Sequence, residues 1–157
     1  MMAALICALA AGCGDKPAAA PLAAHKHEHK PPHGGTPVVL GEEEYHVELV
    51  LDAASGTLDA YVFDGELENF VRVAAESFNV AVRLPDKEEV LVFKAVPNTA
   101  TGEKIGDTSL FETQAEWLKT RTNFDATLKE LTVKGKTYQN IVFNFPKGND
   151  QDEKEQK

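Results

Sequence analysis

Tyr45-His46-Val47-Glu48-Leu49-Val50-Leu51-Asp52, then Ala53-Ala54-Ser55-Gly56, then Thr57-Leu58-Asp59-Ala60-Tyr61-Val62-Phe63-Asp64 is the stretch that decides the fold. Tyr45, Val47, Leu49 and Leu51 alternate with Glu44, His46, Glu48 and Val50. A period of two places the apolar set on one side of a pleated strand, toward a core, and the other set toward solvent. Asp52 to Gly56 is rich in turn formers, and the alternation resumes from Thr57 to Asp64, so the two runs predict a β-hairpin. On this reading Glu44, His46 and Glu48 line the outward face.

The same reading extends downstream. Asp64-Gly65-Glu66 signals a turn, Phe70 to Val73 a short edge strand, and Phe78 to Leu84 a strand with Phe78, Val80, Val82 and Leu84 on one face. Pro85-Asp86-Lys87 turns the chain into Val90 to Val96, a nearly continuous apolar run that suits a central strand. Pro97 to Asp107 is a polar loop and Ser109 to Phe111 a short strand. Gln114 to Thr120 is the one helical segment, anchored by Trp117 and Leu118 and expected to plug an open edge or end. Ala126 to Val133 and Thr137 to Phe145 form a last hairpin around Lys134-Gly135-Lys136, with Ile141, Phe143 and Phe145 on one face. Seven or eight short strands with regularly spaced turns predict an all-β protein: a single antiparallel immunoglobulin-like β-sandwich over residues 38–146 with one short helix. An up-and-down barrel is the alternative.

The chain has 157 residues and a net charge of −9, from 16 Lys and Arg against 25 Asp and Glu. The tether's single excess positive charge and the tail's single excess negative charge cancel, so the body carries that charge and favours cationic partners. A deficit of cations argues against duplex nucleic acid, which is bound by neutralising phosphates. Both cysteines, Cys7 and Cys13, precede the body, which therefore has no disulfide, thiolate metal site or cysteine nucleophile. No GxSxG elbow, HExxH or phosphate-cradling glycine loop occurs, and the expectation is a non-enzymatic protein. Asp107-Thr108-Ser109 matches an aspartic-protease triplet, but such chemistry needs two carboxylates sharing a proton, and chance explains one tripeptide.

Residues 1–12, MMAALICALAAG, have the length of a signal-peptide core and are too short to span a bilayer. Ala11-Gly12-Cys13 resembles the lipobox of bacterial lipoproteins, in which the cysteine is acylated and becomes the first residue of the mature chain. Ala10 stands where leucine is commonest, and no Lys or Arg precedes the apolar run. The resemblance implies a protein anchored through acylated Cys13 to a lipid bilayer in the cell envelope of a diderm bacterium. Gly14 after the cysteine favours the periplasmic face of the outer membrane. Two or three acyl chains would make the anchor effectively permanent.

From residue 13 to 37 the chain is rich in Ala, Pro, Gly, Lys and His and lacks hydrophobic periodicity, the composition of a disordered tether. Its random-coil reach is about 25–30 Å. Four of the five histidines lie here: His25, His27, His29 and His33. Alternate spacing puts three imidazoles on one side of an extended backbone, and imidazole suits Zn and Cu. Imidazole ligation weakens below about pH 6 as the rings protonate. The competing reading is a solvated linker. Glu44, His46 and Glu48, with His33 near in sequence, form a second candidate metal cluster; its competitor is a solvated strand face. Residues 147–157 read as a disordered charged tail.

His33-Gly34-Gly35, Leu40-Gly41, Tyr45-His46-Val47-Glu48-Leu49 and Ala60-Tyr61-Val62-Phe63 together resemble the N-terminal β-region of periplasmic adaptor subunits from heavy-metal efflux pumps. The likeness covers residues 33–63. The chain has no room for the helical hairpin, lipoyl-like domain or membrane-proximal barrel of such adaptors. It is also similar to small HGG-motif envelope lipoproteins. These resemblances imply an envelope location and raise the weight of metal binding. The expected function is thus a membrane-anchored β-sandwich binding module with a His-bearing tether that takes up Zn or Cu, acting with an envelope protein partner. The alternative is a structural or assembly-assisting lipoprotein with no metal role.

Overall fold

The computed structural model describes residues 30–149. The predicted signal peptide, Cys13, His25, His27, His29 and the chain after Asn149 lie outside these residues. Eight antiparallel strands form one sheet: β1 (Thr36–Leu40), β2 (Tyr45–Asp52), β3 (Thr57–Asp64), β4 (Ser77–Arg83), β5 (Glu88–Ala95), β6 (Leu110–Gln114), β7 (Phe124–Val133) and β8 (Lys136–Phe145). Their order across the sheet is β1-β2-β3-β6-β5-β4-β7-β8. The protein is all-β, as the alternation requires. Its two layers, β1-β2-β3-β6 and β5-β4-β7-β8, are joined by a narrow seam in which only Lys94↔Glu112 and Ala95↔Phe111 pair.

The opposite edges are closed differently. The Asn149 side-chain amide caps the β1 edge: Val39 N–H donates to its Oδ1 at 2.7 Å, and its Nδ2 donates to the Val39 carbonyl at 3.2 Å. The Thr36 hydroxyl donates to the Pro146 carbonyl at 3.2 Å. Inside, one apolar cluster takes Val47, Leu49, Leu58, Ala60 and Val62 from one layer and Phe78, Val80, Val82, Leu91 and Phe93 from the other. Phe78 stacks on Phe93 at 4.9 Å and meets Phe111 edge-on at 5.2 Å across the layers.

Several boundaries differ from the sequence reading, each for a non-local reason. The β-structure includes residues before 38, because Thr36 and Pro37 pair with Leu49 and Glu48 as part of β1. Residues 147–149 belong to it too, since Asn149 seals the edge. Phe70 to Val73 is no strand but makes two isolated bridges, Phe63↔Phe70 and Val73↔Thr108. The predicted helix is a single 3-10 turn, Glu116–Lys119. Leu118 is buried, while Trp117 meets Phe124 edge-on at 5.2 Å. β7 and β8 change phase together: Phe124, Ala126 and Leu128 are buried, then Leu131 and Val133; Tyr138, then Phe143 and Phe145. The shift falls where Lys129 and Asn140 drop out of the ladder and Asn140 takes φ +54°.

Candidate functional site

The site grows from Glu48, whose side chain β2 directs away from the central core. The solvated outward row expected of Glu44, His46 and Glu48 is not found. Glu48 and His46 are both 0% exposed, because the His33-Gly34-Gly35 turn and the segment after β3 cover this part of the sheet. Strand alternation says which side a residue occupies; it does not say what lies on top of it.

Glu48 is a carboxylate with three donors. The His33 N–H donates to Oε1 at 2.8 Å and the Gly35 N–H donates to the same oxygen at 2.9 Å. The His33 ring nitrogen Nδ1 lies 2.7 Å from Oε2. An ionised carboxylate can only accept, so Nδ1 is the donor in this bond, and in the neutral ring Nε2 is the nitrogen left to act as ligand or acceptor. Hydrogen bonds to a charged acceptor are the strong kind, and they compensate the cost of desolvating Glu48.

The two glycines have separate reasons. Gly34 sits at φ +68°, the left-handed conformation that closes the turn, with its N–H donating to the Pro31 carbonyl at 3.0 Å. Gly35 must lie flat on β2: a Cβ there would come within 2.5 Å of the Leu49 carbonyl oxygen and 2.8 Å of Val50 Cγ2. The turn is thus a clip of defined shape, and His33 belongs to it rather than to a free tether.

An aromatic shelf supports the ring. His33 stacks on Tyr61 at 4.1 Å between centroids and 18° between planes. Phe63 stacks on Phe70 at 4.6 Å. Asp59 lies on the same face of β3, and burial pushes its carboxyl up against the lowering effects of Tyr61 and the His33 charge. A shallow cleft of about 350 Å³ opens beside the shelf, lined by Tyr61, Phe70, Arg72, Glu103 and Ser109 among others.

The other candidates are placed elsewhere. Glu44 stands in the turn after β1, bonded to Lys136 and accepting from the Tyr138 hydroxyl at 2.9 Å; these partners hold its carboxyl below the usual range. Burial and the Glu44 carboxylate push the Tyr138 phenol up to about 12. His46 Nδ1 lies 3.3 Å from the Asp64 carbonyl oxygen. So β2 brings Glu48 to His33, while Glu44 turns to Lys136 and Tyr138. Among the described residues no group of three or more His, Cys, Asp or Glu side chains is disposed to hold a metal ion.

Asp107-Thr108-Ser109 has a bracing role. The Thr108 and Ser109 hydroxyls each donate to Glu103 at 2.9 Å, and Asp107 pairs with Arg72 at 3.2 Å. Glu103 was not singled out in the sequence. Its one readable signal was its place in a polar loop ahead of two hydroxyl residues.

Comparison of the chain with protein-family models, curated proteins and solved structures found no match.

Proposed function

We propose that this chain is a non-enzymatic, membrane-anchored envelope lipoprotein whose β-sandwich is a binding module and whose His-bearing N-terminal segment takes up Zn or Cu where it joins the sheet. The observation that carries the reading is the His33–Glu48 pair. A metal-ligating histidine characteristically gives its other ring N–H to a carboxylate, which fixes the tautomer and raises ligand basicity. His33 has that arrangement at Nδ1, with a buried, fully engaged carboxylate behind it. It stands four residues after His29 in the series His25, His27, His29. One orientation-fixed imidazole does not make a site, so the remaining ligands come from that series. Acylated Cys13 would hold this assembly at the membrane with the acidic body facing a cationic partner.

Calorimetric titration of Zn²⁺ and Cu²⁺ into the full chain in detergent tests this. Wild type is expected to bind with micromolar or tighter affinity, His33→Ala about tenfold more weakly, and the His25/His27/His29→Ala variant not measurably. Equal heats for wild type and the triple variant overturn the metal reading and leave a structural lipoprotein. Membrane fractionation tests the anchor: Cys13→Ser should shift the protein to the soluble fraction.

A further inference from the structure

The seam between β5 and β6 leaves part of a strand edge open. β5 pairs with β4 along its whole length, Ser77↔Lys94 to Arg83↔Glu88. Backbone direction follows from the hydrogen bonds at its ends: Leu84 N–H donates to the Lys87 carbonyl, and Ala95 N–H to the Glu76 carbonyl. Alternation of an antiparallel ladder then turns the N–H and C=O of Glu89, Leu91 and Phe93 toward β4, and those of Glu88, Val90, Val92 and Lys94 the other way. On that other side β6 bonds only the last part: Lys94 pairs with Glu112, and Val96 N–H donates to the Leu110 carbonyl at 2.9 Å. Beyond Glu112, β6 leaves β5 and follows β3, with Ala115 N–H donating to the Gly56 carbonyl at 3.0 Å. Among the described residues the β5–β6 ladder therefore stops short of Glu88, Val90 and Val92, whose amides and carbonyls face the gap.

A groove of about 430 Å³ occupies the gap, lined by Val90, Val92, Lys94, Glu112, Gln114 and Ala115 among others. β5 is a central strand, as the Val90 to Val96 run predicts, but it is buried on one face only, with Leu91 and Phe93 in the core and Val90 and Val92 on the outer face flanking the groove. Val90 is 55% and Val92 42% exposed, so two apolar side chains stand beside the groove in reach of whatever enters it. The opposite sheet edge is sealed by Asn149, so an unsealed edge here is a local property of this seam.

We infer that the β5 edge at Glu88, Val90 and Val92 is a docking site for an extended segment of a partner polypeptide, which adds as a strand between β5 and the diverging end of β6. Only an extended backbone offers the alternating acceptor and donor groups that this edge presents. The partner's residues flanking Val90 and Val92 are apolar. Its ends are basic, because Glu89 and Glu112 outnumber Lys94 among the residues that line the groove and the whole chain carries −9. That acidity also disfavours a second copy of this chain. The inference is independent of the metal reading.

The probe is the synthetic peptide acetyl-Lys-Thr-Val-Thr-Val-Thr-Lys-amide, added to the full chain and followed by amide hydrogen exchange. In the free chain Val90 and Val92 should exchange at least about a hundredfold faster than Leu91 and Phe93. At saturating peptide they should slow at least about tenfold, and the same peptide with prolines for valines should have no effect. Val92→Pro removes an N–H from the open edge only, so it should fold, as proline does on free strand edges, and abolish the protection. Leu91→Pro, which removes an N–H bonded to β4, should unfold the chain. Absence of protection at millimolar peptide, or protection that survives Val92→Pro, overturns the proposal. So does self-association in sedimentation that Val92→Pro removes, which would make a second copy the occupant. Slow exchange of both amides in the free chain, lost on deleting residues 14–29, would make the tether the occupant and equally overturn it.

Discussion

At Glu48 one buried carboxylate satisfies two main-chain donors and a ring, and truncation tests whether those bonds hold the clip. Glu48→Ala leaves the N–H groups of His33 and Gly35 without an acceptor and is expected to cost about 3 kcal/mol in urea unfolding. Glu48→Gln keeps an acceptor for both, and the His33 ring can present its other tautomer to the amide, so about 1 kcal/mol is expected. The glycines separate in the same assay. Gly34→Ala meets open space and costs only the left-handed backbone, about 1–2 kcal/mol. Gly35→Ala drives a methyl into the Leu49 carbonyl and should cost about 3 kcal/mol. Equal losses for the two would contradict the close approach to β2. Glu103 predicts a pH dependence. Burial raises its carboxyl, but the Asn98 N–H and the Ser109 and Thr108 hydroxyls outweigh it and hold the group below the usual carboxylate range. Its contribution is therefore fully present above the ordinary carboxylate pKa of about 4.3 and is lost as pH falls through the lower folded value. Glu103→Gln should cost about 1–3 kcal/mol at pH 7 and progressively less toward pH 3.

Elements in this fold are held by burial more than by local propensity. The 3-10 turn Glu116–Lys119 has no side-chain cap, and Leu118 is what fastens it. Leu118→Ala should destabilise by about 2–5 kcal/mol in thermal or urea unfolding. The 3-10 turn Thr99–Thr101 buries no residue and should tolerate Ala100→Gly within about 1 kcal/mol. The β7–β8 hairpin turns through Lys134 at φ +49° and Gly135 at φ +85°, the signature of a type I′ turn. Lysine is strained at the first position and asparagine is not, so Lys134→Asn should raise stability by about 0.5–1 kcal/mol. These elements show why some sequence assignments held and others did not. The hairpin Tyr45 to Asp64 and the strand Phe78 to Leu84 alternate over most of their length, and the structure pairs them at nearly the expected residues. The Gln114 to Thr120 segment has too few turns to sustain an α-helix by itself, since nucleation is costly, and the packing of Leu118 selects a tighter single turn.

For the whole molecule the decisive feature is how one sheet closes. Asn149 bonds both backbone groups of Val39 and thereby joins the segment after β8 to the first strand. Asn149→Ala should cost about 1–2 kcal/mol and speed exchange of the Val39 amide, with little change at β4 or β5. Across the molecule, the seam between β5 and β6 is the counterpart left open. The sequence by itself determined that the protein is antiparallel β, where most turns fall, and which residues of each strand share a side. Those are properties of a pleated backbone and of the few residue types that tolerate turns, so they act over two to five positions and can be read locally. Only the tertiary structure decided that Glu48 and His46 are covered while Val90 and Val92 are not, and that His33 is clipped to Glu48. A strand's two sides are equivalent until distant chain lies against one of them, and what lies there depends on contacts between residues far apart in the sequence.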